Sequence, residues 1–266
     1  MVLSVLIHYP RQTQERNKIF FEKKDQELTN LDWAKWSGWF DTDGCLHSKF
    51  NRSKCELELK DKQPLELFSK IFECSLTSRT RNTVTPKTQY SPSRKYRLTT
   101  FRCKLSGEKA KWFTKNVYPY LLKEEKKDYA EKLLGYQPLS KDVEMWTRNE
   151  ITSYLGSAIC GDGRATLDER SKNGSKYMEM ALFSNDPQYL SDVKYIVENK
   201  YKIYIPLAVQ HIYQTKEGEK TMYYLRFAGS RINSQNLPFF KHLIEDNVMT
   251  LDRKKHNVQK FITSVS

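Results

Sequence analysis

The chain has 266 residues, a formal net charge of +13, a pI near 9.3 and a mean hydropathy of −0.73. This length admits one large domain or two halves of ordinary size, and 13% aromatic residues exclude a basic disordered tail. No apolar run approaches the ~20 residues that span a bilayer, and the apolar start Met1–Ile7 lacks the basic lead of a signal peptide, so the excess charge points to nucleic acid rather than a membrane as polyanionic partner. The five cysteines contain no CxxC pair and read as reduced thiols of a cytosol-like compartment, whereas the five histidines are scattered without zinc-ligand spacing.

Residues 1–28 are predicted to form a helical extension. Thr29 to Asp41 reads as a helix whose start carries Thr29 and Asp32 at capping-box spacing. Gly44 is expected to end it in a loop. Cys55 to Lys60 alternates apolar and charged residues, as a half-buried strand does. Gln63 to Cys74 has Leu65, Phe68 and Phe72 at helical spacing. Strands are predicted over Thr77–Val84 and Lys95–Cys103, joined by a loop carrying Pro86, Tyr90 and Pro92. Helices follow from Lys109 and from Pro119 to Leu134. Gly135 to Trp146 reads as a linker. The second half repeats the order. Thr147 and Glu150 form another capping box, and Gly163 again marks the helix end. Strands are predicted at Arg164–Glu169 and Tyr177–Phe183, a helix at Asp186–Glu198, and strands at Ile205–Gln214 and Met222–Ala228 around a Lys216-Glu217-Gly218 turn. Helices start near Asn236 and Leu251. Each half is thus αββαββα with a further helix, which gives an α+β chain: 1–28 extension, 29–134 first repeat, 135–146 linker, 147–266 second repeat.

Two nine-residue segments align without gaps. Trp36-Ser37-Gly38-Trp39-Phe40-Asp41-Thr42-Asp43-Gly44 matches Leu155-Gly156-Ser157-Ala158-Ile159-Cys160-Gly161-Asp162-Gly163, and the spacing is 162 − 43 = 119 residues. A single Asp-Gly is a common turn dipeptide. Two of them, each opening a repeat, imply a shared place for Asp43 and Asp162. Small residues at Ser37, Gly38, Gly156, Ser157 and Ala158 suit two helices packed closely along their length, with the bulky Trp36 and Trp39 expected to face the smaller Leu155 and Ala158. Two adjacent carboxylates repel and need a cation for both to stay ionised. Magnesium suits them because it takes oxygen ligands and keeps several waters.

The two segments resemble the paired LAGLIDADG motifs of single-chain homing endonucleases, and the αββαββα order extends the resemblance over about residues 29–262. The resemblance implies two pseudo-symmetric repeats that form a saddle of antiparallel sheets, with the motif helices packed at the repeat interface. It implies a monomeric enzyme that cuts both strands of a long, weakly two-fold DNA site by magnesium-dependent phosphodiester hydrolysis, manganese being able to substitute. Asp43 and Asp162 are the expected catalytic metal ligands, with Gly44 and Gly163 beside them. Aligning Tyr96-Arg97-Leu98 with Tyr224-Leu225 sets Lys104 opposite Arg231 as basic members of the site, and Lys60 and Asn185 are weaker candidates. Asp41 against Cys160 is a departure that bears on a helix-end contact. DNA contacts are expected from Lys49, Arg52, Arg79, Arg81, Lys95, Arg97, Arg164, Arg170, Gln210, Gln214 and Arg226 on the outward faces of strands, although Glu56 and Glu58 share such a face and would repel phosphate. Alternatives on the same scaffold are a maturase that binds intron RNA and an inactive DNA-binding regulator. The chain ends lack intein splicing residues, so an intron-encoded or free-standing enzyme in an intracellular compartment with access to DNA is expected.

Overall fold

A computed structural model describes residues 8–49, 52–85, 94–168, 177–215, 218–230, 236–246 and 248–265. Helix α1 (His8–Glu27) is followed by α2 (Asn30–Thr42), β1 (Gly44–Lys49), β2 (Arg52–Leu59), α3 (Gln63–Phe72), β3 (Leu76–Thr85), β4 (Arg94–Ser106), α4 (Glu108–Val117) and α5 (Glu124–Leu134). The second series is α6 (Arg148–Asp162), β5 (Gly163–Asp168), β6 (Tyr177–Ser184), α7 (Pro187–Tyr201), β7 (Leu207–Thr215), β8 (Gly218–Ser230), α8 (Leu237–Glu245) and α9 (Asp252–Val265). Among the described residues there are two four-stranded antiparallel sheets, ordered β1-β2-β4-β3 and β5-β6-β8-β7. The α+β architecture with two pseudo-symmetric repeats is therefore present. No described helix is long and apolar enough to cross a membrane. The turn residues Lys216 and Glu217 and the 86–93 loop lie outside the described residues.

Both capping boxes form. Thr29 and Asp32 exchange side-chain and backbone bonds at the start of α2, and Thr147 and Glu150 do so at α6, satisfying amide groups that a helix start leaves unpaired. Gly44 and Gly163 do not open loops, because each is the first residue of a strand. Their value is close approach: a Cβ at Gly44 would lie 2.5 Å from Phe40 Cα in the last turn of the preceding helix. The helix expected over 119–134 is interrupted. The Asp41 carboxylate accepts from the amides of Leu122 (2.8 Å) and Lys123 (3.3 Å). The backbone there is extended, and α5 begins only at Glu124.

The α2–α6 contact is made by fewer small residues than the sequence suggested. A Cβ at Gly38 would collide with the Tyr154 carbonyl oxygen and lie 3.2 Å from the Ala158 nitrogen, so backbone meets backbone here. Ser37 and Gly156 turn instead toward their own repeats: the Ser37 hydroxyl donates to the carbonyls of Trp33 and Val117, and Gly156 abuts Val248. Trp36 likewise faces its own repeat, edge-on to Phe68 (5.0 Å) and Phe72 (5.6 Å), because that aromatic cluster offers it more apolar surface than the tight helix seam. Further ties cross between the repeats, from Arg253 to Asp61 (3.2 Å) and from Gln63 to Asp252 (3.1 Å).

Replacing Gly38 by Ala is expected to destabilise the protein by about 2 kcal/mol. Overpacking of about 3 kcal/mol is partly offset by about 1 kcal/mol of helix propensity. Equilibrium denaturation in urea measures the difference.

Candidate active site

Asp43 follows the last turn of α2, its amide donating to the Trp39 carbonyl (2.9 Å), and Asp162 is the last residue of α6. The close helix pair therefore delivers both carboxylates to one end of the seam. Burial pushes the Asp43 carboxyl up to about 6, and the neighbouring Asp162 charge adds to the rise. Burial also raises Asp162, against the pull of Lys123, Lys126 and Lys254. Asp43 Oδ2 is buried and accepts no hydrogen bond. A Cβ at Gly161 would overlap that oxygen, so the glycine lets α6 come against the acid. A buried, unpaired carboxylate oxygen is costly and is the natural place for a cation. Among the described residues no third Asp, Glu, His or Cys joins the pair. The donor set fits a magnesium-like ion that takes its other ligands from water and phosphate.

Three lysines that are not among the sequence candidates, Lys123, Lys126 and Lys254, act on the carboxylates at this end. Lys254, in the first turn of α9, donates to the carbonyls of Ile159, Cys160 and Gly163, each at 2.7 Å. Burial lowers it to about 8. Lys126, in the first turn of α5, donates to the Gly44 carbonyl. The two lysines are repeat equivalents that neutralise the partial negative charge of a helix C-terminus. They also engage the very glycine carbonyls that the resemblance set beside the metal. Lys123 Nζ lies 3.9 Å from Asp162 Oδ2. Their signal in the sequence is an acid-x-Lys, Glu124-x-Lys126 and Asp252-x-Lys254, at the two helix starts.

The remaining candidates sort by register. Leu57 pairs with both Gly44 and Cys103, and Leu182 with both Gly163 and Leu225. Cys103 is thus equivalent to Leu225, and Lys104 to Arg226. The expected partner Arg231 is off by 231 − 226 = 5 residues, and it lies outside the described residues, as does Arg170. Lys104 is exposed opposite Glu56 on the outer face, whereas the lysines acting on the carboxylates are 123, 126 and 254. Lys60 lines a cavity of about 410 Å³ beside Asp43, with Arg81, Arg253 and Lys254. Asn185 is exposed just past β6.

Arg79 and Arg81 share the outer face with Arg102, while Lys95 and Arg97, in register with Val84 and Asn82, alternate to the other face. Arg164 and Arg226 are outward and both bind Glu179, Arg226 at 2.9 Å. The outward acids are thus not bare: Glu56 pairs with Arg102 (3.4 Å), and Glu58 accepts from the Thr100 hydroxyl (2.6 Å). Lys49 pairs with Arg52 at the β1–β2 end, Gln210 falls at a strand irregularity, and Gln214 pairs with Glu219; the side chains of Lys49, Arg52, Gln210 and Gln214 lie outside the described residues.

The departure at Asp41 has a physical reading. Asp41 is fully buried, and burial raises its carboxyl to about 6. It binds the Leu122 and Lys123 amides and accepts from the Tyr154 hydroxyl of α6 at 2.5 Å. At the equivalent place the Cys160 thiol faces the backbone of Thr250 and Leu251. The contact is kept with a weaker, uncharged group.

No protein-family model and no curated protein matches the chain. Among solved structures the chain is similar to the homing endonuclease I-WcaI bound to its DNA recognition sequence, at 12% identity and a TM-score of 0.47, with 89% of this chain and 91% of that one covered. It is similar to the LAGLIDADG homing endonuclease I-GzeII in complex with its DNA target, at 11% identity and a TM-score of 0.47, over 88% of this chain and 96% of that one. It is also similar to full-length DUF199/WhiA from Thermatoga maritima, at 12% identity and a TM-score of 0.42, over 89% of this chain and 61% of that one.

Proposed function

We propose that the protein is a sequence-specific, metal-dependent DNA endonuclease of the LAGLIDADG type that cuts both strands of a long, weakly two-fold duplex site. The observation that carries this reading is the Asp43–Asp162 pair, one carboxylate from each motif helix, with a buried oxygen left without a partner. A regulator that only binds DNA gains nothing from two acids set against phosphate. Asp43 and Asp162 would hold the cation, and Lys126 and Lys254 fix the helix ends that carry them. A divalent cation bound there, magnesium or manganese, would activate water and offset charge on the phosphate under attack. Arg79, Arg81, Arg164 and Arg226 reach outward from the two sheets, where Glu179 holds both Arg164 and Arg226 in place for contact with DNA.

Selection for cleavage from a randomised duplex library with magnesium tests the reading. Cuts at one long motif, abolished by EDTA, support it, whereas a folded protein that binds a motif and never cuts it refutes it. Asp43→Asn and Asp162→Asn should each lower double-strand cleavage at least 100-fold while binding to the selected duplex stays within about fivefold. Affinity should fall steeply with salt, with a slope of about −0.9 in log K per phosphate neutralised, read by fluorescence anisotropy between 50 and 200 mM salt.

The raised carboxyl of Asp43 has a linked effect on stability. Its folded value, about 6, exceeds its ordinary 3.8, so ionisation costs the folded state stability progressively as pH rises from about 4 through 6. Asp43→Asn removes that cost. Without metal at pH 7.5 the variant should melt about 2–4 °C above the unaltered protein, for a difference of about 1 kcal/mol. The gap should close near pH 4, and calorimetry at the two pH values checks it.

A further inference from the structure

An acid on the outward face of the second sheet meets a phosphate-bearing partner with the wrong charge. Glu179 nevertheless sits there, its side chain only 16% exposed beneath two arginines that are 48% and 39% exposed. Glu179 Oε1 accepts from Arg164 Nη2, and Oε2 accepts from Arg226 Nη2 at 2.9 Å. Arg226 Nη2 also donates to the Tyr177 hydroxyl at 2.7 Å. The guanidinium carbon of Arg164 lies 5.8 Å from the Phe183 ring centre, and that of Arg226 lies 5.8 Å from the Tyr177 ring centre, so each arginine is fixed by an ionic and an aromatic contact. The two arginines flank Ala181, which is in register with both. Stability does not account for the trio, because exposed ion pairs add little to it. Phosphate binding does not account for it either: a mobile lysine serves as a point charge, and Glu179 cancels one of the two positive charges. What the acid adds is orientation. By register the equivalents of Arg164, Glu179 and Arg226 in the first repeat are Cys45, Lys54 and Lys104, which hold neither a guanidinium nor an acid.

We propose that Arg164 reads a guanine in the half of the target bound by the second repeat, that Glu179 and Arg226 position it, and that the first repeat makes no such reading from the equivalent place. The inference rests on the DNA-binding part of the reading above and not on cleavage. Guanine presents two acceptors, O6 and N7, at a fixed spacing in the major groove, and the planar fork of an arginine matches them. A guanidinium has two such forks, one across Nη1 and Nη2 and one across Nε and Nη2. Among the described residues Arg164 bonds only through Nη2 to Glu179, which leaves one fork for a base. In Arg226 the bonds to Glu179 and Tyr177 take both hydrogens of Nη2, and Nε is buried without an acceptor, so neither of its forks is open. Arg226 is therefore the brace that holds the far oxygen of Glu179, and Arg164 is the reader.

The test uses a duplex recovered by binding selection in EDTA, so its outcome does not depend on nuclease activity. Each base pair of that duplex is then varied and affinity is read by fluorescence anisotropy. At one guanine the unaltered protein should bind about tenfold tighter than to any other base, and Arg164→Gln should bring that ratio to within about twofold. Replacing that guanine by 7-deazaguanine, which lacks only the N7 acceptor, should cost the unaltered protein about fivefold and Arg164→Gln no more than about twofold. Glu179→Gln keeps the shape and removes the negative charge. It should lower the guanine ratio at least about threefold while binding to unrelated duplex grows no weaker, a combination that a merely structural role would not produce. Lys104→Gln should weaken all sequences alike and reduce the salt slope by about 1. The same uniform loss from Arg164→Gln would assign Arg164 to a phosphate and overturn the inference, as would 7-deazaguanine without effect at every guanine of the target. Should Arg164→Gln fold poorly, Arg164→Lys, which keeps the charge and loses the fork, decides by the same ratio. Selection that recovers no duplex motif is a different result, seen before any variant is made, and it refutes the DNA reading itself.

Discussion

The backbone contact between α2 and α6 is the constraint on which the rest depends. At Gly38 there is no room even for a methyl group against the Tyr154 carbonyl. Any side chain there would force the helices apart and separate their C-terminal ends. With the seam closed, two acids from segments 119 residues apart in sequence become neighbours, and their mutual repulsion is built into the folded state. The large aromatic cluster of the first repeat, the two sheets and the capping boxes all serve to hold that line of contact.

The fold was legible because its signals are local. Capping boxes, alternating strands such as Cys55–Lys60 and the 3.6-residue spacing of Leu65, Phe68 and Phe72 each act within a few residues, and all of them form. The repeated Asp-Gly segments made the paired acids legible as well. What failed was tertiary. The break before α5 arises because Asp41, about eighty residues away, draws off the Leu122 and Lys123 amides, which no local propensity reports. Trp36 went to the aromatic cluster because the seam, being backbone-tight, has no space for it.

The basic residues show how register defeats a repeat alignment. Between Asp and lysine the two halves differ in length, 126 − 43 = 83 against 254 − 162 = 92 residues, so a constant offset drifts along the chain. Matching Leu98 to Leu225 sets Lys104 against Arg231, whereas strand pairing sets it against Arg226. The lysines by the carboxylates lie at or just before helix starts beyond the sheets, which look like ordinary amphipathic surface. The acids on the outer strand faces, troubling when read alone, are explained by cross-strand partners that only pairing reveals, Arg102 for Glu56 and the Thr100 hydroxyl for Glu58.

The bond from Tyr154 to Asp41 also says something about the two halves as separate molecules. Tyr154 corresponds to Lys35, since 154 − 119 = 35, and Asp41 to Cys160. A pair of first halves would turn Lys35 toward the buried Asp41, and a pair of second halves would turn the Tyr154 hydroxyl toward a thiol, a poor acceptor. In the intact chain the strong acceptor and the strong neutral donor meet once, in one direction. The seam is therefore matched like that of two unlike subunits, with a covalent tether between them.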